Sequence, residues 1–276
     1  FEKIGLAPAG DGNSYYQQFK SLIPIYLSKP SFNVLNKDRQ VVKSYINGTD
    51  FREVLEGFGG SGEIEGQLFN LEKYIKDYNP EELKGKVLIT NTKIESEWIS
   101  YAIACGASGV ITSGRPNLPK TPFDVSEKSG SSILIYSFNI DSFAELQRFA
   151  GENCTANAKL EVAFNTLETA NILGKIEGTS KNKECVILST AIDGLGKDFN
   201  GNDYKGTLKD VTSIGIILEL AKAIKLQGTP PEKTIIFALF NNEKFMNKGS
   251  RHYINKPTYP LDKTVVVVLN SLGAKD

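Results

Sequence analysis

Two short polar segments combine residue types that could perform acid–base chemistry or bind a cation. The first contains Asp193 and follows an apolar run that ends near Ala191. The second, residues 241–244, follows the apolar run TIIFALF and contains Glu243 and Lys244. A carboxylate can act as a general base or as a metal ligand, whereas an ammonium group repels a cation. The residue types therefore allow a carboxylate site, with a lysine beside it.

An amphipathic helix precedes the second segment. Its apolar residues recur at helical spacing, and its charged residues fall on the opposite face. The apolar positions are Ile214, Ile217, Leu218, Ala221 and Ile224. Asp210 or Thr212 can cap the start of this helix, and Gly228 followed by two prolines ends it.

Two apolar runs, TIIFALF and TVVVVLN, have the composition of strands in a parallel sheet that is covered on both faces. Because sites lie at the carboxyl ends of such strands, Glu243, Lys244, Asn270 and Ser271 should lie along one edge of the sheet. We expect TVVVVLN to lie inside a sheet. Either a shorter sheet closes after it, or a second copy of the chain covers its edge as a homodimer.

Composition excludes several classes of function. The formal net charge is zero, from 32 basic and 32 acidic residues, so nucleic acid or an anionic membrane is a poor partner. No run approaches the roughly 18 unbroken apolar residues of a membrane span. The three cysteines form no CxxC pair, which argues against a disulfide framework or a thiolate metal site. His252 is the only histidine, and we expect it to be a surface or packing residue.

Short strand-like runs around two helical runs, with frequent turn signals, indicate a β-rich domain inserted at residues 36–165. Residues 1–35 and 166–276 then form a larger α/β domain that is short at its C-terminal end. The glycine-dense tract GFGGSGEIEG continues into an acidic, strand-like run rather than a helix. We therefore interpret it as a hairpin or bulge loop and not as a phosphate-binding loop.

Segments along nearly the whole chain resemble, in order, those of the two-zinc aminopeptidases. This family includes secreted bacterial aminopeptidases, glutamate carboxypeptidases, the transferrin receptor ectodomain and nicastrin. The segments that carry the resemblance are GLAPAGDGNSYYQQF, ILSTAIDGLG, DVTSIGIILELA, IIFALFNNEKFMNKGSRHY and VVLNSLG. KGKVLIT with ACGASGVIT resembles the protease-associated domain that many members carry as an insertion.

The resemblance implies an α/β fold: a three-layer αβα sandwich with a mixed, mostly parallel sheet, plus the inserted β-rich protease-associated domain. It also implies a secreted, periplasmic or cell-surface location. Carried over residue by residue, it places Ala191 at a histidine ligand of the family and Asp193 at the acidic residue that supports that ligand. Asp210 stands at the carboxylate that bridges the two metals, and Asn270 at a further acidic ligand.

Glu243 matches the general base of the family, whereas Lys244 stands where the family has a metal-binding glutamate. At an effective dielectric constant near 20, a lysine ammonium group and a unit positive charge about 4 Å apart repel each other by about 4 kcal/mol. The repulsion between the ammonium group and a dication is about twice as large. Ala191 offers no donor atom, and the amide of Asn270 is a weak zinc ligand. We therefore expect no bound zinc and a salt bridge from Lys244 to Asp210 or Glu243.

Two functions remain open. The first is a catalytically inactive relative that binds a peptide, a protein or a glycan, with Glu243 as a vestigial base. Asp193, Asp210, Lys244 and Asn270 would then form the rim of a degenerate pocket, without a cofactor. The second is an active zinc-dependent aminopeptidase whose missing ligands come from elsewhere.

A metal-free hydrolase that uses Ser213 or Ser271 has no histidine base nearby. Each candidate also has a purely structural interpretation. Asp210 can be a helix cap, Asp193 a turn former, and residues 243–244 an ordinary solvated first turn.

Overall fold

The computed structural model describes residues 1–54, 61–92, 94–114, 133–194, 196–197, 199–204, 211–244 and 247–272. The chain divides into two compact units. The first unit comprises Phe1–Ile23, Thr166–Gly196 and Tyr204–Asp276, and the second comprises Pro24–Asn165 and Lys197–Asp203.

The strands within the described residues are β1 (Ala7–Pro8), β2 (Tyr16–Tyr26), β3 (Ser31–Leu35), β4 (Val41–Tyr45), β5 (Phe51–Glu53), β6 (Gly62–Asn70), β7 (Val87–Thr90), β8 (Gly109–Ser113), β9 (Leu134–Phe138), β10 (Thr155–Leu160), β11 (Val162–Ile176), β12 (Cys185–Ala191), β13 (Gly196–Lys197), β14 (Asp203–Tyr204), β15 (Thr234–Phe240) and β16 (Thr264–Val268). The α-helices are α1 (Pro80–Leu83), α2 (Ser96–Ala104), α3 (Ile140–Gly151), α4 (Thr212–Leu226) and α5 (Lys248–Asn255). None of the described helices is long and apolar enough to cross a membrane.

The first unit contains a mixed sheet in the order β1-β11-β15-β12-β16, with β2 also paired to β11. Strand β12 runs parallel to both β15 and β16, whereas β11 runs antiparallel to β15. Helix α4 packs on the face that carries Phe237 and Leu239. Tyr253 of α5 packs on the opposite face with Ile236 and Ala238. The unit is therefore a helix–sheet–helix sandwich, which confirms the predicted α/β fold class.

Helix α4 forms along the predicted apolar stripe. Ile217 and Ala221 are fully buried, and Ile214 and Ile224 are partly buried against the sheet. The residue that precedes the helix is Val211, and it provides no side-chain cap. The prediction that Thr212 caps the helix is wrong, because Thr212 is already its first residue. Asp210, the other predicted cap, lies outside the described residues.

Strand β16 corrects the expectation that TVVVVLN lies inside a sheet. Within the described part of the chain it pairs only with β12 and forms an edge of the sheet. Its consecutive valines alternate between the two faces, yet all four are exposed, from 41% for Val267 to 66% for Val268. The run forms the predicted strand, but the described residues do not cover either of its faces.

The second unit contains an eight-stranded sheet in the order β4-β3-β10-β6-β7-β8-β9-β5. Strands β6 to β9 run parallel to one another, and the outer pairs are antiparallel. Trp98 of α2 packs on one face of this sheet and Phe143 of α3 on the other. Strand β3, which the sequence analysis assigned to the larger domain, pairs with β10 in this sheet.

All three cysteines are buried free thiols: Cys105, Cys154 and Cys185. None of the three is paired in a disulfide. Burial raises the pKa of Cys154, and it raises the pKa of Cys185 to about 11.

Candidate functional site

The site is built where two parallel strands end side by side. The last residue of β12, Ala191, is in register with Phe240 at the end of β15. The residues that follow β12 and β15 therefore meet at one edge of the sheet. We call Ala191, Asp193, Glu243 and Lys244 the rim, and residues 241–244 the exit loop.

Asp193 connects the two strand ends. Its Oδ1 accepts the backbone N–H of Glu243 at 3.0 Å, and its Oδ2 accepts the backbone N–H of Lys244 at 2.9 Å. Hydrogen bonds to a charged acceptor are worth more than neutral ones. Both carboxylate oxygens thus hold the exit loop, which is a more specific role than that of a simple turn former.

Glu243 turns towards the first turn of α5. Its Oε1 accepts the backbone N–H of Ser250 at 2.7 Å, and its Oε2 accepts the Ser250 hydroxyl at 2.9 Å. The N-cap residue of this helix, Asn247, provides no side-chain cap, so Glu243 satisfies one of the open N–H groups instead. Burial raises the pKa of Glu243, and the two hydrogen bonds from Ser250 offset part of that rise.

The fully buried side-chain amide of Asn171 supports the exit loop. The Oδ1 of Asn171, in β11, accepts the backbone N–H of Asn241 at 3.1 Å. Its Nδ2 donates to the side-chain oxygen of Gln17 at 3.0 Å and to the carbonyl of Gly249 at 2.9 Å. The side chain of Asn241 in turn donates to the hydroxyl of Thr169 at 2.7 Å. The loop is therefore bonded to β11 through both its backbone and a side chain.

The next residue of the loop, Asn242, has a φ of +60°, in the left-handed region that asparagine tolerates better than most residues. Its side-chain amide donates to the hydroxyl of Ser21 in β2. This turn reverses the chain directly after the buried strand, which brings Glu243 and Lys244 to Asp193.

The structure brings together only part of the predicted site. Asp193, Glu243 and Lys244 lie at one place, and Lys244 is 9% exposed rather than an ordinary solvated residue. Asn270 is exposed at the end of the β16 segment, and Asp210 lies outside the described residues. His252 stacks on Phe19 with 5.1 Å between the ring centres, which confirms its predicted packing role.

The sequence analysis missed Gln17, Asn171 and Ser250, which position the exit loop. Only one of them left a signal in the sequence. Asn171 directly precedes the apolar residues Ile172 and Leu173 in β11, and an amide in a buried part of a strand needs partners.

The described donor atoms do not fit a two-zinc centre. Ala191 has no ligand atom, and the carboxylates of Asp193 and Glu243 already accept two hydrogen bonds each. In the ranges that the structure describes, no three His, Cys, Asp or Glu side chains form a group that could hold a metal ion. We therefore assign no chemical step at this site to a metal.

A comparison with protein families matches residues 171–274 to Peptidase family M28. The matched segment contains Asn171, β12, α4, β15, α5 and β16, and so includes the rim and the exit loop. No curated protein matches the chain.

Solved structures of bacterial peptidases share the fold. The aminopeptidase from Aneurinibacillus sp. strain AM-1 is 17% identical with a TM-score of 0.62, over 93% of this chain and 60% of its own. The Peptidase M28 precursor from Shewanella amazonensis SB2B is 13% identical with a TM-score of 0.61, over 98% and 62%. BSAP, a zinc aminopeptidase from Bacillus subtilis, is 17% identical with a TM-score of 0.58, over 98% and 60%.

The chain spans about three fifths of the length of these structures. The match to family M28 and the shared fold confirm the resemblance to the two-zinc aminopeptidases.

Proposed function

Starting from the match of residues 171–274 to Peptidase family M28, we propose that this chain is a catalytically inactive relative of the aminopeptidases. Its rim binds a peptide or an extended protein segment without a metal. In this proposal Glu243 is no longer a general base, and it stabilises the start of α5. Zinc, which the relatives suggest as a cofactor, has no role in this chain.

One observation carries the proposal: Lys244 lies at the rim, 9% exposed, with its backbone N–H bonded to Asp193. The resemblance assigns this position to a metal ligand. A positive side chain at such a position repels a cation by about 4 kcal/mol per unit charge at about 4 Å. In this proposal the positive charge of Lys244 pairs with a carboxylate of the bound peptide.

Three further features belong to this proposal as expectations. The second unit, with its parallel β6–β9 core, acts as a protease-associated domain. The protein is secreted, periplasmic or on the cell surface, as the family resemblance implies. A second copy of the chain pairs with the exposed edge strand β16, whose valines need a cover.

A hydrolysis assay tests the loss of catalysis. The purified protein is incubated with leucine 4-nitroanilide and excess zinc, beside the Bacillus subtilis zinc aminopeptidase as a positive control. We expect no nitroaniline release above the buffer rate. Release that zinc restores and a chelator abolishes would mean that the chain is an active zinc aminopeptidase, and it would overturn the proposal.

A binding experiment tests the positive half of the proposal. Trialanine is titrated into ¹⁵N-labelled protein, and we expect saturable shifts of the amide signals of Glu243 and Lys244. Asp193→Asn should weaken binding at least fivefold, since one oxygen of the clamp becomes a donor. Asp262→Asn, at an exposed position away from the rim, is the matched control and should bind as the wild type does. An equal loss in both variants would assign the effect to general surface charge.

A further inference from the structure

We infer that Asn171 is a positioning residue that sets the shape of the rim independently of any metal. The inference deepens the proposed function, because the loop that it positions carries Glu243 and Lys244. Nothing in the sequence pattern of a buried strand requires an amide at this place, so its contacts must explain it.

The side chain of Asn171 has no exposure to solvent and makes three hydrogen bonds to three different segments. Its oxygen accepts from the exit loop at Asn241, and its nitrogen donates to Gln17 of β2 and to Gly249 of α5. Gln17 is 1% exposed, and its Nε2 donates a further hydrogen bond to the Lys256 carbonyl at 2.7 Å. One amide thereby joins β2, β11, the exit loop and α5.

The packing around this junction leaves no free space. A Cβ atom at Gly249 would lie 2.4 Å from Oδ1 of Asn171 and 2.2 Å from the carbonyl oxygen of Asn241. These distances are far below any normal contact, so only glycine fits at position 249 without displacing the loop. The exit loop and the first turn of α5 therefore both pack directly against the side-chain amide of Asn171.

Two anchors made only of protein groups then hold the exit loop. The side chain of Asn171 accepts the backbone N–H of Asn241, the first residue of the loop. The side chain of Asp193 accepts the backbone N–H groups of Glu243 and Lys244. The rim should keep its shape when every metal is removed.

Backbone amide hydrogen exchange measured by NMR tests this inference residue by residue. In Asn171→Leu all three bonds are lost, and we expect the Asn241 amide to exchange at least tenfold faster than in the wild type. Asn171→Asp keeps an oxygen that can accept from Asn241 but loses both donors. Its second oxygen faces the acceptor oxygens of Gln17 and Gly249, so its Asn241 amide should exchange faster than in the wild type but more slowly than in Asn171→Leu. A role in packing alone would not separate the two variants in this way.

Ile217→Ala, in α4 on the opposite face of the sheet, is the control for general destabilisation. It should not change the exchange rate of Asn241 relative to that of Phe237 in β15. If it does so as strongly as Asn171→Leu, or if Asn171→Leu folds with wild-type exchange at Asn241, the inference is wrong. A chelator added to the wild type should leave the exchange of Glu243 and Lys244 unchanged, and faster exchange there would show that a metal holds the loop.

The experiment separates the inference from the proposed function. Exchange rates are measured without ligand, whereas trialanine binding is measured separately on the same samples. If the wild type does not bind trialanine but the exchange pattern is as expected, only the proposed function fails.

Discussion

Strands β15 and β16 both run parallel to β12, on opposite sides of it, and both consist of β-rich apolar residues. Their surroundings differ completely. Phe237 in the middle of β15 is fully buried, whereas Val266 in the middle of β16 is 51% exposed. The loop after β15 is held by Asp193 and Asn171, but Asn270 after β16 is exposed. The composition of a segment therefore determines whether it forms a strand. Its neighbours in the sheet determine whether that strand is buried and whether the residues after it are held in place.

The largest expected effect is in the β15 core. Phe237→Ala should lower the free energy of unfolding by about 3–5 kcal/mol, because it removes a fully buried ring and leaves a cavity between the sheet and α4. Urea denaturation followed by circular dichroism measures the change. A loss below about 1 kcal/mol would mean that the core of the first unit relaxes around the cavity.

The second prediction concerns the residues that follow the strands. Asp193→Ala leaves the N–H groups of Glu243 and Lys244 without their acceptor and should cost about 1–3 kcal/mol of stability. Asn270→Ala, the matched change after β16, should stay within about 0.5 kcal/mol of the wild type. Equal losses in the two variants would remove the distinction between a clamped and an exposed strand end.

The third prediction is a pH dependence that arises from Glu243. Burial raises its pKa in the folded state above the ordinary value of 4.5, so the stability that this group contributes is fully present below that value. It is lost as the pH rises through the folded-state pKa. Glu243→Gln should remove this decrease, measured as the difference between the two unfolding curves from pH 4 to pH 8. A difference that does not change with pH would contradict the assignment.

The smallest effect on stability is expected in β16. Val266→Thr at this exposed position should change the free energy of unfolding by no more than about 0.5 kcal/mol. If a second copy covers the strand, light scattering should show a dimer for the wild type, and Val266→Lys should convert it to a monomer. A wild-type monomer at high concentration would argue against that pairing.

The secondary structure was largely predictable because its signals are local. The helical spacing of Ile217 and Ala221 predicts both the helix α4 and the face that it buries. The run TIIFALF likewise predicts β15. The same logic failed for the burial of β16, since an apolar run does not state whether anything lies against it.

The site was predictable where strand order alone brings residues together. Asp193 and Glu243 follow two parallel strands, so their meeting follows from the topology. Gln17 and Asn171 are 154 residues apart along the chain, and only the pairing of β2 with β11 brings them into contact. Such long-range partners leave no periodic pattern in the sequence.

The burial of the native thiols has a practical consequence. With a pKa of about 11, the thiol of Cys185 is ionised in only roughly one molecule in ten thousand at neutral pH. Cys105 and Cys154 are shielded from reagents by the surrounding core. A cysteine introduced at the exposed position Asn270 would therefore be alkylated first, without any need to replace the three native cysteines.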